Sequence, residues 1–490
     1  MKPLRRTSRH IYTAGNNMNR QIITVAMAFV GLVVGAGFAS GKELIQYFVG
    51  FGTQGIWGVA LALIILALAG YVILQLGSFF LASDHNRVLT EVSPPITSRI
   101  FDILITLTLF SMGFVMIAGG GTSLNQQFGL PVWVGSVIIT VLVILVGMLD
   151  VDRVTAIIGA ITPLIIVLIV GAAIWSHTHV DYSITQLDAM ATEIGSTLPN
   201  WWASAANYVA LSLAMAVSMS IVMGGQIRDP RVAGRGGMLG GIIYGLLILI
   251  SSTALFAQID KVGHSDMPTL MLLTSIHPAF GTVMAFVVFG MIFNTAIGMY
   301  YALASRFSKG DPKRFRIWLI SMALVGFAVS FVGFKTFVNY LYPVIGYAGM
   351  LLILLLVVHW VRSREDIRQE IARRVAIRKL LRRLLRKDKS FHQGHADQLA
   401  EAIEQSPVDN SDLQTSSVLE VVDELEDEGL AYDHPATIDF EEITNVELEE
   451  SALDDYEEPE TDQVAEEVVQ AEETNEACPS AEETNPRKPL

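Results

Sequence analysis

The sequence predicts an all-α polytopic membrane protein carrying a charged C-terminal tail, and three observations support that fold class. Hydrophobic residues make up 52% of the 490-residue chain and charged residues only 17%, which is not the mix of an ordinary soluble domain. Apolar runs of about 18 residues or more, long enough to cross a bilayer as a helix, recur ten times. Charge is divided unevenly: residues 1–361 hold 19 Lys+Arg and 13 Asp+Glu, a net of +6, whereas residues 362–490 hold 14 and 35, a net of −21. A single soluble globule, a disulfide scaffold and a wholly disordered chain are excluded.

The segment 1–21 precedes a transmembrane domain over 22–361. Its ten spans fall at about 22–50, 54–80, 100–125, 132–149, 154–176, 200–223, 236–257, 279–305, 315–332 and 337–361. The N-terminal segment and the loops after spans two, four, six and eight carry 16 Lys+Arg, from Lys2 to Arg316, and the alternate loops carry only Lys261 and Lys335. Positive residues stay in the cytoplasm, so both termini are expected there, in a multi-pass protein of the cell membrane. The first span's basic start, with Gly37 and Ala39 before Ser40, imitates a signal-peptide cleavage site. Cleavage there would turn an even count of spans into an odd one. Met18 opens an alternative start, MNRQIITV.

Span one is expected to be broken. VGAGFASGKE, residues 34–43, sets three glycines, a serine and two charged residues inside an apolar run. Continuous helix from Ile22 to Phe51 would extend about 45 Å, beyond a hydrocarbon core of about 30 Å. Each glycine lowers helix preference by about 1 kcal/mol. Unwound backbone in a membrane is tolerated only where it lines protein or a cavity. Freed amides and the start of the next half-helix suit a carboxylate, and freed carbonyls suit a cation. Gly35, Ala36, Gly37, Ser40 and Gly41 are therefore candidate solute-binding residues. Spacing alone also offers a packing role, since Gly31 and Gly35, and Gly37 and Gly41, are each four apart. Glu43, the acidic residue of this span, shares a face with Ser40 and Tyr47. It is expected either to carry a proton or meet a substrate amine, or to sit at the outer interface beside Lys42.

Elsewhere in the spans, Gly119–Gly121 of span three are expected to serve packing or gating. Asp102 reads as interfacial. Asn207, Tyr208, Ser212, Ser218 and Ser220 of span six supply polar groups for a site, with Tyr208 and Ser212 the candidate solute contacts, or else bond within their own helix. His177 and His179 alone are weak evidence for metal.

VGAGFASGKE, together with MIAGGGTSLNQQFGLP in span three, resembles the first- and third-helix signatures of the bacterial YkvI-like membrane proteins. That group resembles the amino acid–polyamine–organocation superfamily of transporters with the LeuT-type fold. The resemblance covers residues 20–361 and not the tail. It implies two inverted five-helix repeats, spans one to five and six to ten. It also implies that span six is the second broken helix, although no glycine occurs there until Gly224. A coupling sodium is implied between the carbonyls of Gly31 and Val34 and the side chains of Asn294 and Thr295 in span eight, an oxygen set suited to a hard cation. Leu32 and Phe38 stand where sodium symporters of the fold place an asparagine, so at most one sodium is implied. The rival reading of Asn294 and Thr295 is an interhelical hydrogen bond.

Residues 362–389 carry 12 basic and 4 acidic residues with apolar positions at near-helical spacing. This juxtamembrane helix is expected to lie on anionic lipid. From residue 390 to 486 there are 31 acidic residues and no Lys or Arg, so the tail 390–490 is expected to be disordered. Apolar patches such as SSVLEVVDELED offer segments that fold on a partner or dock on the basic helix. The lone Cys478 forms no internal disulfide and no zinc cluster. The acidic balance argues against nucleic acid as a partner.

The expected function is secondary active transport of a small zwitterionic solute, an amino acid first, coupled to sodium or protons by alternating access. The alternative is a transporter-like receptor that binds the solute and signals through its tail. No GxxxxGK[ST] loop, Ser–His–Asp set or intramembrane metal cluster is present in the sequence, so neither an ATPase nor another enzyme is expected, and no cofactor beyond the coupling ion. The sequence carries no sign of an oligomeric state.

Overall fold

The described residues form helices along the apolar runs, and several begin where the sequence supplies a cap. The computed structural model describes residues 18–148, 161–308 and 311–446. Core helix one is split into Met18–Val33, Ala36–Ser40 and Lys42–Tyr47. Core helices two to five are Gln54–Phe79, Pro95–Phe128, Val132–Gly147 and Ile161–Thr178. Core helices six to nine are Trp201–Gly225, Pro230–Ala257, Pro278–Ser308 and Pro312–Ser330. Core helix ten runs over Phe334–Arg362. Asn200, Asp229 and Asp311 accept from backbone amides of the first turns of core helices six, seven and nine, and Pro230 and Pro312 stand where a missing N–H costs nothing. Among the described residues, six helices are long and apolar enough to cross a membrane by length and composition. Met18–Val33, Val132–Gly147 and Thr162–Thr178 are shorter apolar helices.

The break in core helix one lies where the glycines predict it. Val34 still donates to the Val30 carbonyl at 2.8 Å, and Gly35 is then extended at φ −107°, ψ −177°. After one short turn and a half, Gly41 sits at φ +77°, the left-handed region that a side chain disfavours. A Cβ there would also run into Thr269 Oγ1 at the start of the short helix Pro268–Ile276. Ser40 is spent locally: its hydroxyl donates to the Gly37 carbonyl at 2.8 Å and accepts from the Lys42 amide at 3.2 Å.

Core helix ten answers a proline in the same economical way. Pro343 has no N–H to give the carbonyl of Asn339 four residues earlier, and the turn Phe337–Leu341 is π-helical. The freed Asn339 carbonyl accepts from Thr197 Oγ1 at 3.0 Å, and Gln46 in turn donates to Thr197. Core helices two, six and seven meet at backbone distance. Gly70 and Gly237 face each other's carbonyls, Gly241 faces that of Leu66, and Gly77 and Gly224 face those of Ile221 and Leu74.

Several expectations are corrected. Core helix six is one continuous helix, not a second broken one: its Ala, Leu and Met run holds the ladder, and Gly224 comes only at its last turn. Gly119 meets Phe334 and Ile292, while Gly120 and Gly121 admit Ile139, Ser136 and Val132 of core helix four, so these glycines pack an unbroken helix. The pair Gly31 and Gly35 is not a packing motif, because nothing lies within 4 Å of a Cβ at Gly31 and only its own chain approaches Gly35.

The chain divides into two units, Met1–Val375 and Ala376–Leu490, and the helix Arg364–Leu385 crosses the division. Within the first unit, Arg374 donates to the carbonyls of Ser78 and Phe79 at 2.9 and 2.7 Å and of Arg228 at 3.0 Å. It thereby satisfies the C-terminal end of core helix two. Its other partner, at 2.8 Å, is Glu370, which is fully buried. The lipid-facing expectation for residues 362–389 fails at these positions, since the arginine is bonded inside the protein. The second unit corrects the disordered tail as far as residue 446. Helices Gln393–Glu404 and Asn410–Asp427 bury Leu399, Ile403, Leu413, Val418, Val421, Val422 and Leu425, and Ile377, Leu381 and Leu385 are likewise fully buried. Acidic residues at Glu424 and Glu428 pair with Arg378 and Arg382. The self-repulsion expected of the tail is thus relieved by the basic helix within the same unit. Residues 1–17 and 447–490, with Cys478, lie outside the described residues.

Candidate functional site

The break in core helix one opens a small enclosed space in the middle of the first unit. It is walled by Gly35, Ala36, Gly37 and Phe38 of the break and by Val33 and Glu43 on either side. Met112 and Met116 of core helix three, Ser212 and Met215 of six, Tyr244 of seven and Thr295 of eight complete it. The cavity has about 20 Å³ of room for water-sized spheres, enough for a water molecule or a bare ion and too little for an amino acid.

Glu43 dominates its chemistry. The residue is 2% exposed, and its Oε1 atom has no hydrogen-bond partner among the described residues. The carboxylate lies directly on Gly37, so closely that a Cβ on that glycine would overlap it. Lys42, the neighbour expected to neutralise it, points elsewhere: its ammonium donates to the Ser265 carbonyl at 2.8 Å. Burying a charged carboxylate without a partner costs several kcal/mol, so this group needs a proton or a cation beside it. The interface reading of Glu43 is therefore replaced by a cavity position.

The other candidates divide. Gly35, Ala36, Gly37 and Ser212 line the cavity, and the buried Ser212 hydroxyl lies beside those of Tyr208 and Tyr244. Ser40 and Gly41 do not line it; one closes its own turn and the other packs on Thr269. Tyr208 stands one layer back, its hydroxyl 2.9 Å from that of Tyr244. The half-helix after Gly35 is only five residues long, too short to build much of a dipole, so the expected carboxylate anchor is weak. Of the four expected sodium contacts only Thr295 reaches the cavity, and its hydroxyl donates to the Met291 carbonyl at 2.9 Å. Gly31 is exposed, and Val34 and Asn294 are not among the lining residues.

Sequence reasoning missed Phe38, Met112, Met116, Met215 and Tyr244, because apolar residues in an apolar helix carry no signal of which face meets a cavity. Asn207 is structural: it donates to the Pro343 carbonyl at 2.9 Å and accepts from Tyr47 at 3.3 Å, tying core helices one, six and ten.

A second polar cluster joins four elements. His85, on the short helix His85–Val92, has Nδ1 2.8 Å from Ser218 Oγ of core helix six. Its Nε2 lies 3.3 Å from the guanidinium of Arg306 in core helix eight and 3.7 Å from Asp102 in core helix three. Arg306 and Asp102 are themselves an ion pair, so Asp102 is a bonded residue and not simply interfacial. Burial, and then the Arg306 charge, push the His85 imidazole below its usual range. The His179 ring stacks on Trp175 at 4.6 Å, His177 Nδ1 lies 2.7 Å from the Ala173 carbonyl, and no cluster of three or more His, Cys, Asp or Glu occurs among the described residues.

No family model matches the chain. It is 22% identical over 331 residues to the uncharacterized membrane protein YkvI of Bacillus subtilis (strain 168), covering 66% of this chain and 92% of that protein. It is 25% identical over 343 residues to the uncharacterized protein YyaD of the same organism, covering 69% and 96%. Among solved structures, the inward-facing conformation of Mhp1 superposes with a TM-score of 0.51 at 13% identity, covering 70% of this chain and 77% of that one. The first unit is thus a multi-pass membrane protein with the LeuT-type fold, and its homologues are YkvI and YyaD.

Proposed function

We propose that the protein is a secondary transporter that moves a small amine-bearing solute, such as an amino acid, by alternating access. The observation that carries this reading is the buried Glu43 carboxylate on Gly37, its Oε1 without a partner among the described residues, at a cavity built from five core helices at a break in the first. In a membrane such a group marks a pathway for a solute or a proton. The ten core helices are read as two inverted repeats of five, with both termini cytoplasmic by the distribution of Arg and Lys. Glu43 favours the proton over sodium as coupling ion, because three of the four residues of the sodium reading lie off the cavity. The solute is too large for the closed cavity, so its entry requires the helices that line it to part.

Purified protein in liposomes, offered labelled amino acids and amines with sodium and proton gradients imposed separately, tests the reading. Accumulation driven by a proton gradient is expected. Accumulation driven only by sodium would return the coupling role to Thr295 and Asn294. Saturable binding without accumulation would favour a receptor, and neither binding nor flux would refute the proposal.

A further inference from the structure

The cavity is electrically one-sided. Glu43 is the only acidic group on its wall, and no Lys, Arg or His lines it among the described residues. The titratable groups within electrostatic reach of Glu43 are phenols: Tyr47 one turn further along, Tyr208 and Tyr244, and Tyr342 of core helix ten. Lys42, next to Glu43 in sequence, is bonded to the Ser265 carbonyl. A solute anion would therefore find a carboxylate and no counter-charge. A proton or a cation would find a buried oxygen with no other partner.

The remaining walls suit the rest of an alkylammonium ion. Phe38 and Tyr244 stand edge to face with ring centroids 5.7 Å apart, and both border the cavity. Aromatic rings attract a nearby ammonium group through their faces. Met112, Met116 and Met215 are unbranched and adaptable, so they can repack around an apolar body of variable shape. Ser212 adds one hydroxyl beside those of Tyr208 and Tyr244.

We infer that Glu43 holds a proton and the ammonium group of the solute by turns, on the same carboxylate oxygens. The inference rests on the transporter reading of this site and names its substrate class, protonated amines, for which a carboxylate on the solute is not required. On one side of the membrane the carboxylic acid of Glu43 releases its proton to water, and R–NH3+ pairs with the carboxylate that remains. On the other side the ammonium departs and the carboxylate takes up a proton for the return. One proton crosses against each cation, no net charge moves, and no oxidant or further reactant is needed.

Three molecules with one branched chain separate the possibilities: 3-methylbutylamine, leucine and 4-methylpentanoate carry the amine alone, both groups, and the carboxylate alone. Binding of each to the purified full-length protein is measured calorimetrically in two buffers of different ionisation enthalpy, which counts protons released. The amine should bind with about one proton released, its affinity rising about tenfold per pH unit while the empty site is protonated. The acid should not bind. Glu43→Gln should lower amine affinity at least tenfold in protein that remains monodisperse, and Glu43→Asp should restore part of it. Binding of the acid as tight as that of the amine, amine binding without proton release, or full amine affinity in Glu43→Gln would each overturn the inference. So would proton displacement by sodium alone, or a failure of the amine to bind. Amine flux in vesicles that persists in Glu43→Gln would remove the shared site and leave the transporter. Proton-linked binding without flux would remove the transporter and leave the site.

Discussion

At the scale of single residues, Gly37 and Ser212 separate stability from binding. Gly37→Ala puts a methyl group where the Glu43 carboxylate now lies. The flexible end of Glu43 is what must yield, so the fold should survive while the carboxylate is displaced. We expect monodisperse protein with uptake reduced at least tenfold, read by size-exclusion chromatography and tracer flux on one preparation. Ser212→Ala removes a buried hydroxyl that interacts with those of Tyr208 and Tyr244, so stability should fall by about 1 kcal/mol. If the solute also bonds this hydroxyl, its affinity should fall about three- to tenfold. Unchanged affinity would take Ser212 out of the site. Gly37 and Glu43 were legible in the sequence because glycine and a carboxylate are anomalous inside an apolar run. Met112, Met215 and Tyr244 were not, since a cavity face and a packing face of such a helix have the same composition.

At the scale of elements, the break in core helix one was readable from local chemistry, whereas the continuity of core helix six had to be seen. A fold-level resemblance implied a second break, and the helix-forming run from Trp201 to Met223 outweighed it. Gly41 sets the geometry of the first break. Gly41→Ala places a side chain at φ +77°, worth about 1–2 kcal/mol by itself, and drives it into Thr269 Oγ1. We expect a lower thermal midpoint, measured by fluorescence-detected chromatography after heating; an unchanged midpoint would mean that the turn is not fixed. The cluster around His85 gives a pH prediction. A neutral imidazole with its proton on Nδ1 donates to Ser218 and accepts from Arg306 at Nε2; a second proton would face the guanidinium. Because the folded group titrates below its ordinary value of 6.5, the unfolded chain binds more protons in the interval between the two values. This contribution to stability is complete above pH 6.5 and is lost as pH falls through the folded value. His85→Gln should flatten the acid side of the thermal midpoint against pH, and an identical profile in the variant would refute that role.

At the scale of the whole molecule, charge segregation in the sequence drew a boundary after residue 361, whereas the chain divides after Val375, and it misjudged the segment beyond. Thirty-one acidic residues without a single Lys or Arg over 390–486 look like a solvated tail. The compensating arginines lie earlier, in a stretch whose membrane-facing look concealed them. Arg378 and Arg382 meet Glu424 and Glu428, and Ile377, Leu381 and Leu385 on the same helix are fully buried. A pairing between segments about 45 residues apart is invisible to composition averaged over either one. Position 390 is consequently a poor place to cut. Deleting 390–490 would expose three apolar side chains and strand two arginines, so we expect aggregation on size exclusion. Deleting 376–490 removes the second unit entire while Arg374 keeps its bonds to the Ser78 and Phe79 carbonyls and to Glu370. That shorter chain should stay monodisperse and transport at about the full-length rate, because a compact unit with its own buried core can be removed whole. The reverse order, with the longer truncation aggregating and the shorter one intact, would show that residues 390–446 do not fold with the helix before them.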